Sequence, residues 1–147
     1  MKVEQLSIFL ENKAGRLAEV TNILFEASVN IMALSLADTS EFGILRLIVG
    51  DHEKAQVALK AKGFTVGRTS VVAVEVDHRP GGLNRILQLL EKRNINVEYM
   101  YGFPYQSAAA IIVFRFDQSD LAVEILQQSG VRVFSQSDIC QVNNSRA

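Results

Sequence analysis

Cysteine occurs once in this chain, at Cys140, so neither an intrachain disulfide nor a cysteine-cluster metal site can form. Neither sign of charge is in excess: 15 Lys and Arg stand against 16 Asp and Glu, for a net charge of −1. Without a basic surplus there is no electrostatic footprint for nucleic acid or for an anionic membrane. No apolar run approaches the ~18 residues needed to span a bilayer, and Met1-Lys2-Val3-Glu4-Gln5 begins a strand pattern instead of a signal core. A cytoplasmic location is the expectation. The two histidines, His52 and His78, have no His or Cys partner at ligand spacing, so they read as loop or cap residues and no cofactor or metal is expected. What is left, at 147 residues with 48% apolar and 21% charged, is globular material for one ordinary domain or two small ones.

One short stretch occurs in two versions, Asn12-Lys13-Ala14-Gly15-Arg16-Leu17 and His78-Arg79-Pro80-Gly81-Gly82-Leu83. Each follows an apolar strand and opens an amphipathic helix. A Gly-containing turn at that junction leaves backbone N–H groups unpaired, ready to receive a small anion such as a carboxylate. Before the first version, Leu6, Ile8 and Leu10 alternate with polar residues, the strand period. After it, Leu17, Val20, Thr21 and Leu24 keep the i, i+3, i+4, i+7 spacing of a buried helix stripe. Ser28-Val29-Asn30 ends that helix, Ile31 to Ala37 reads as a second strand, and Asp38-Thr39-Ser40-Glu41 is turn chemistry. Ile44 to Val49 forms a third strand, Asp51 caps a helix running to Lys62, Gly63 stops it, and Phe64 to Thr69 returns as a fourth strand.

At a constant offset the pattern starts again. Leu6, Ile8 and Leu10 become Val72, Val74 and Val76, and the stripe becomes Leu83, Ile86, Leu87 and Leu90. Asn30-Ile31 becomes Asn96-Val97, and the capping Asp51 becomes Asp117. Leu59 becomes Ile125, after which one inserted residue aligns Gly63 with Gly130. This is an internal duplication. The predicted fold class is α+β: two tandem ferredoxin-like βαββαβ units, with antiparallel sheets, helices on one face, and first and third strands central. The boundaries fall at 1–70 and 71–141, with the last strand ending near Cys140 and polar residues 142–147 as a flexible tail. Arg68-Thr69-Ser70 runs straight into Val71-Val72, so no linker separates the units.

The repeated signature, strand-[Asn/His]-x-[Pro/Ala]-Gly-x-Leu-helix-x-Asn-[Ile/Val]-strand, resembles the ACT domain, a family of small-molecule-sensing regulatory modules attached to or standing beside amino-acid metabolic enzymes. The resemblance covers nearly the whole chain as two tandem units and leaves no catalytic domain over. It implies an amino acid bound at an inter-domain or inter-subunit interface, at the first turn and the opening of the neighbouring second strand. Carried over by position, the ligand-binding residues are Asn12, Ala14, Gly15, Arg16, Leu17 and Asn30, and in the second copy His78, Pro80, Gly81, Gly82, Leu83 and Asn96. Two departures stand out. Ala14 replaces the Pro common in the family, and His78 replaces the commoner Asn or Asp, so the second site is altered or empty by this reading. The chemistry agrees with the carry-over: a helix N-terminus favours a carboxylate, and an Asn carbonyl accepts from an ammonium group without the cost of burying an ion.

The implied function is non-catalytic: an amino-acid-sensing regulator whose partners are a free amino acid, a second copy of the chain, and a metabolic enzyme. The alternative is an interaction module that has kept the fold, lost the ligand, and modulates a partner enzyme. An RNA-binding module would need aromatic residues on the third strand, where the chain has Gly43 to Ile48 and Ala110 to Phe114. An enzyme would need an acid–base constellation, yet Glu11, Glu75 and Asp77 sit without an evident partner. Some residues keep two readings. Gly15 and Gly81 serve turn geometry or ligand approach, and Asn30 and Asn96 serve as left-handed helix ends or as ligand contacts. The aromatic stretch Tyr99 to Tyr105 is packing, or else Tyr99 or Tyr101 lines a ligand pocket.

Overall fold

The computed structural model describes residues 1–38 and 41–145; of the expected turn at Asp38-Thr39-Ser40-Glu41, Thr39 and Ser40 lie outside the described residues. The elements run β1 (Val3–Glu11), α1 (Arg16–Glu26), β2 (Ile31–Asp38), β3 (Phe42–Val49), α2 (His52–Ala61), β4 (Thr65–Asp77), α3 (Gly82–Glu91), β5 (Val97–Gln106), β6 (Ala109–Phe116), α4 (Ser119–Gln128), β7 (Val133–Phe134) and α5 (Gln136–Ser145). This is an α+β fold in which the order strand–helix–strand–strand–helix–strand occurs twice.

The N-terminal repeat has the strand order β2-β3-β1-β4, so the first and third strands are central and β2 is an edge. Antiparallel pairing sets Leu6 opposite Leu47 and Ile8 opposite Leu45. Residues opposite each other share a face, and this face is packed by α1 and α2 through Val20, Ile23, Leu24, Ala55 and Leu59. The Asp51 carboxylate caps α2, accepting from the Lys54 N–H at 3.0 Å.

The C-terminal repeat has the order β5-β6-β4-β7, with β5 at the edge. Its core joins Val72, Val74 and Val76 of β4 to Phe114 and Phe116 of β6, covered by Ile86 and Leu90 of α3 and by Ala122 and Leu126 of α4. The 13-residue β4 is the fourth strand of one repeat and the first strand of the other. Strand β7 has only two residues, which pair with Ala73 and Val74.

Three expectations need correcting. Of the residues expected as a flexible tail, 142–145 end helix α5, and Cys140 lies within that helix, not on a strand. The helix starts on a capping box, with the Ser135 N–H donating to Asp138 Oδ2 at 2.8 Å and the Asp138 N–H donating to Ser135 Oγ at 3.2 Å. The compact units also differ from a cut at residue 70. Residues 140–145 go with 4–69, and Met1–Val3 go with 70–139. Lys2 is drawn there by an ion pair to Asp120 at 2.7 Å.

The third correction concerns register. Gly43 lies opposite Leu10, whereas Ala110 lies opposite the equivalent Val76. The inserted residue therefore sits before β6, not between Ile125 and Gly130. Asp117 is the counterpart of Gly50, since Gly50 N donates to Asn30 O and Asp117 N donates to Asn96 O. The N-cap of α4 is accordingly Gln118, which makes no side-chain capping bond.

Candidate functional site

Each repeat places its motif turn between the first strand and the first helix. Gly15 and Gly81 both sit at φ 89°, as the left-handed residue from which the helix departs. That conformation is readily open only to glycine. Neither helix start has a side-chain cap. The turns are partly closed from within: Arg16 N donates to Lys13 O at 3.4 Å, and Gly82 N to Arg79 O at 3.0 Å. Among the described residues nothing accepts from the next N–H groups, those of Leu17 and Ala18 in one repeat and Leu83 and Asn84 in the other. The expected open donors are present at both helix starts.

Asn12 and Asn30 do not meet within their repeat. Asn12 N donates to Glu41 O just before β3, and Asn30 O accepts from Gly50 N just after it. The eight residues of β3 lie between them, a separation of roughly 25 Å at strand rise. His78 and Asn96 are divided by β6 in the same way, with His78 N bonded to Ala108 O and Asn96 O to Asp117 N. Neither Asn ends a helix in the left-handed region; Ser28 (φ 57°) and Asn94 (φ 54°) do. A turn and a strand-opening Asn can share one ligand only if they come from different units.

The two turns differ in charge. At the first, Arg16 is tied to Glu19 at 3.1 Å and to Glu11 at 3.0 Å, and Lys13 reaches Glu11 at 3.3 Å. Lys13 and then Arg16 hold the Glu11 carboxyl below its ordinary range, while Glu19 and Glu11 raise the Arg16 guanidinium. Glu19 already occupies the first turn of α1, where a ligand carboxylate would need to come. Helix α3 has no acidic residue in its first turn. Beside it Arg79 pairs with Asp77 at 3.1 Å, and both are more than half exposed.

They differ in shape as well. At the second turn a cavity of about 490 Å³ is lined by Val76, Asp77, His78, Arg79, Pro80, Leu83, Ala110 and Ile112. In the neighbouring edge strand Gly102 lies opposite the lining residue Ile112. The equivalent residue of the first repeat is Leu36, opposite Leu45, and its side chain lies over Gly43. A hollow of about 230 Å³ near the first turn is lined instead by Phe9, Glu11, Arg16, Phe42 and Phe64. Asn96 lies in a separate depression of about 200 Å³ with Leu87, Asn94 and Val97.

The second repeat therefore gathers His78, Pro80 and Leu83 of the expected residues around one cavity, with Gly81 and Gly82 shaping its turn. Arg79, Val76, Ala110 and Ile112 join them and were not foreseen. Gly102 was the available signal, since a glycine inside a strand marks a bulge or a place left open. Tyr99 and Tyr101 pair with Arg115 and Val113, on the sheet face opposite Val76 and Ile112, so they do not line this cavity.

No helix among the described residues is long and apolar enough to cross a membrane, and none of their His, Cys, Asp and Glu side chains form a group of three or more able to hold a metal. No curated protein matches the chain. Protein BT0572 from Bacteroides thetaiotaomicron is 41% identical, with a TM-score of 0.91 over 95% of this chain and 96% of that one. The ligand-free regulatory subunit of aspartate kinase from Thermus thermophilus has the same fold at 14% identity, with a TM-score of 0.61 over 85% of this chain and 91% of that one. The corresponding subunit from Thermus flavus is alike, at 16% identity and a TM-score of 0.60 over 85% and 90%. The family described as the ACT domain pair matches residues 1–143, and the chain belongs to it.

Proposed function

We propose that this protein is a non-catalytic regulator that binds a free amino acid with an apolar side chain at the turn of its C-terminal repeat. The observation that carries this reading is the cavity beside α3. Its floor of Val76, Leu83, Ala110 and Ile112 suits an aliphatic or aromatic side chain. The open N–H groups of α3 and the Arg79 guanidinium suit the carboxylate. At about 490 Å³ the space falls within the range of small-molecule sites.

The ammonium group needs acceptors that the turn itself does not supply. Asn96 can provide one only from another unit, because β6 separates it from His78 in its own repeat. An edge-paired homodimer supplies it: antiparallel pairing of β5 with the β5 of a second copy brings the start of one strand to the end of the other. The ligand then bridges two copies, and occupancy couples to assembly, which is how such a regulator reports a concentration to an enzyme. The structural likeness to regulatory subunits of aspartate kinase supports the fold on which this rests, not the identity of the ligand.

Titration calorimetry with L-valine, L-leucine, L-isoleucine, L-methionine and L-phenylalanine tests the site through a matched pair of variants. Leu83→Glu puts a carboxylate at the α3 N-terminus and is expected to abolish binding. Leu17→Glu, its counterpart in the other repeat, is expected to leave binding intact. Binding that survives Leu83→Glu would overturn the site, and no binding in the unsubstituted protein would leave the interaction-module alternative.

A further inference from the structure

Among the described residues, the large apolar side chains left exposed belong, apart from Met1, to the N-terminal repeat alone. Four of them border its edge strand β2. Leu34 and Leu36, 54% and 49% exposed, lie opposite Leu47 and Leu45, on the face that α1 and α2 cover. Leu17 and Phe25 belong to α1. The right-handed crossover from β1 over β3 to β2 lays that helix on the β2 side of the sheet. Their counterparts in the other repeat give their direction. Leu83 lines the cavity at the second turn, and Glu91 shares a depression with Val97 at the start of β5. Phe25, 79% exposed, thus stands toward the start of β2, and Leu17 toward its end.

The two edge strands are guarded differently. An unpaired edge invites another strand, and charged residues, proline and bulges are the usual protection. Strand β5 has all three: Glu98, Pro104, and irregular register at Val97–Tyr99 and Pro104–Gln106. Strand β2 has neither charge nor proline from Ile31 to Ala37 and departs from regular pairing only between Ile31 and Ala33. Its outer edge has no neighbouring strand among the described residues.

We infer that β2 is a constitutive interface, pairing antiparallel with β2 of a second copy about a two-fold axis at Ser35. That register is self-complementary. Leu34 falls opposite the partner's Leu36 on one face, Ala33 opposite the partner's Ala37 on the other, and Ser35 opposite itself. The α1 helices run alongside, with Leu17 of one copy beside Phe25 of the other. A strand of 8 residues is about 26 Å long and the strand and helix layers together are roughly 20 Å high, so about 1,000 Å² is buried in total, the area a specific interface needs. No charge on β2 between Ile31 and Ala37 has to be desolvated. This pairing needs no ligand and goes beyond the amino-acid-sensing reading. Where that reading also holds, ligand-bridged pairing of β5 joins such dimers into larger assemblies.

Sedimentation equilibrium, with circular dichroism to confirm folding, tests the interface. The unsubstituted protein is expected to be a dimer without any amino acid. Ser35→Glu separates chain from assembly: its carboxylate lies opposite Arg46 within the chain, a favourable pair, but meets its own copy across the axis. Leu34→Glu sets a carboxylate against the partner's Leu36. Both variants are expected to keep the fold and sediment at half the mass. Leu83→Glu, which disables the ligand site by the reading above, is expected to remain a dimer. A monomeric unsubstituted protein, or a dimer that survives both β2 variants, overturns the interface. Dimers lost in both β2 variants, with calorimetry showing no binding of the five apolar amino acids, uphold the interface and overturn the sensing reading alone.

Discussion

Leu36 and Gly102 hold the same place in the two repeats, one opposite Leu45 and the other opposite Ile112, and they leave the two turns with different neighbourhoods. Leu36 covers Gly43, whereas Gly102 carries no side chain beside Ile112, which with Ala110 lines the cavity of the second turn. A Cβ on Gly102 would lie 2.5 Å from Ile112 Cδ1. Gly102→Ala is therefore expected to drive Ile112 into the cavity and weaken ligand binding roughly tenfold, ~1.4 kcal/mol. Stability should fall by about 1 kcal/mol, because the displaced atom is the end of a flexible side chain. Calorimetry and urea denaturation measure the two effects separately. Unchanged affinity would mean that the cavity is not the ligand's place.

Adjacent glycines of the second turn are predicted to tolerate alanine differently. A Cβ on Gly81 meets nothing within 4 Å, so Gly81→Ala carries only the cost of its left-handed backbone, about 1–2 kcal/mol. A Cβ on Gly82 would collide with the Asp77 carbonyl oxygen, which is backbone and cannot swing aside. Gly82→Ala should therefore destabilise the protein more than Gly81→Ala does. Urea denaturation of the pair decides, and the reverse order would contradict this account of the turn.

The asparagines should separate by role. Asn96→Ala is expected to weaken amino-acid binding at least tenfold with little change in stability. Asn30→Ala is expected to leave binding unaltered and remove the bond to Asn143, a loss of about 1 kcal/mol. Calorimetry on each variant distinguishes them, and equal loss of binding in both would contradict the assignment of the ligand to Asn96 and the second turn.

Acid should loosen α5. The Ser135 backbone N–H, and then its hydroxyl, hold the Asp138 carboxyl below its ordinary value of 3.8. A depressed folded value means that this contribution to stability is complete above 3.8 and is lost as the pH falls through the lower folded value. Glu11 and Asp120 are depressed as well and lose their contributions in the same acid range. The Asp138 share is isolated by comparison with Asp138→Asn: the stability difference between the two proteins should shrink to nothing in acid. Ser135→Ala removes the N-cap hydroxyl, and should cost about 1 kcal/mol at neutral pH. A difference that stays constant with pH would contradict the capping role.

The repeat was legible because its evidence is periodic. Leu6, Ile8 and Leu10 recur as Val72, Val74 and Val76, and the helix stripes recur with their spacing, which is what a buried face demands of a sequence. Helix α5 was missed although Ser135-Gln136-Ser137-Asp138 carries a capping box ahead of Ile139 and Val142. Its polar composition outweighed two apolar positions, and its burial comes from tertiary contact. The place of the insertion was not legible because a helix-stopping glycine marks only where an element ends, while strand register, which sets Asp117 against Gly50, is fixed by pairing between distant residues.

Chemistry was harder to read than fold. The turn residues were located by their motif, but motif alone could not separate two turns whose difference lies in Glu19, Leu36 and Gly102, outside or beyond it. Nor could it place Asn12 and Asn30 at opposite ends of β3.

The most direct test of amino-acid sensing is the melting temperature of the protein with each of the twenty amino acids at millimolar concentration. A ligand present at 100 times its dissociation constant adds ~2.7 kcal/mol, a shift of several degrees for a chain of this size. The account predicts such a shift for one or a few amino acids with apolar side chains, and its loss in Leu83→Glu. A flat response to all twenty, or stabilisation confined to charged side chains, would contradict it.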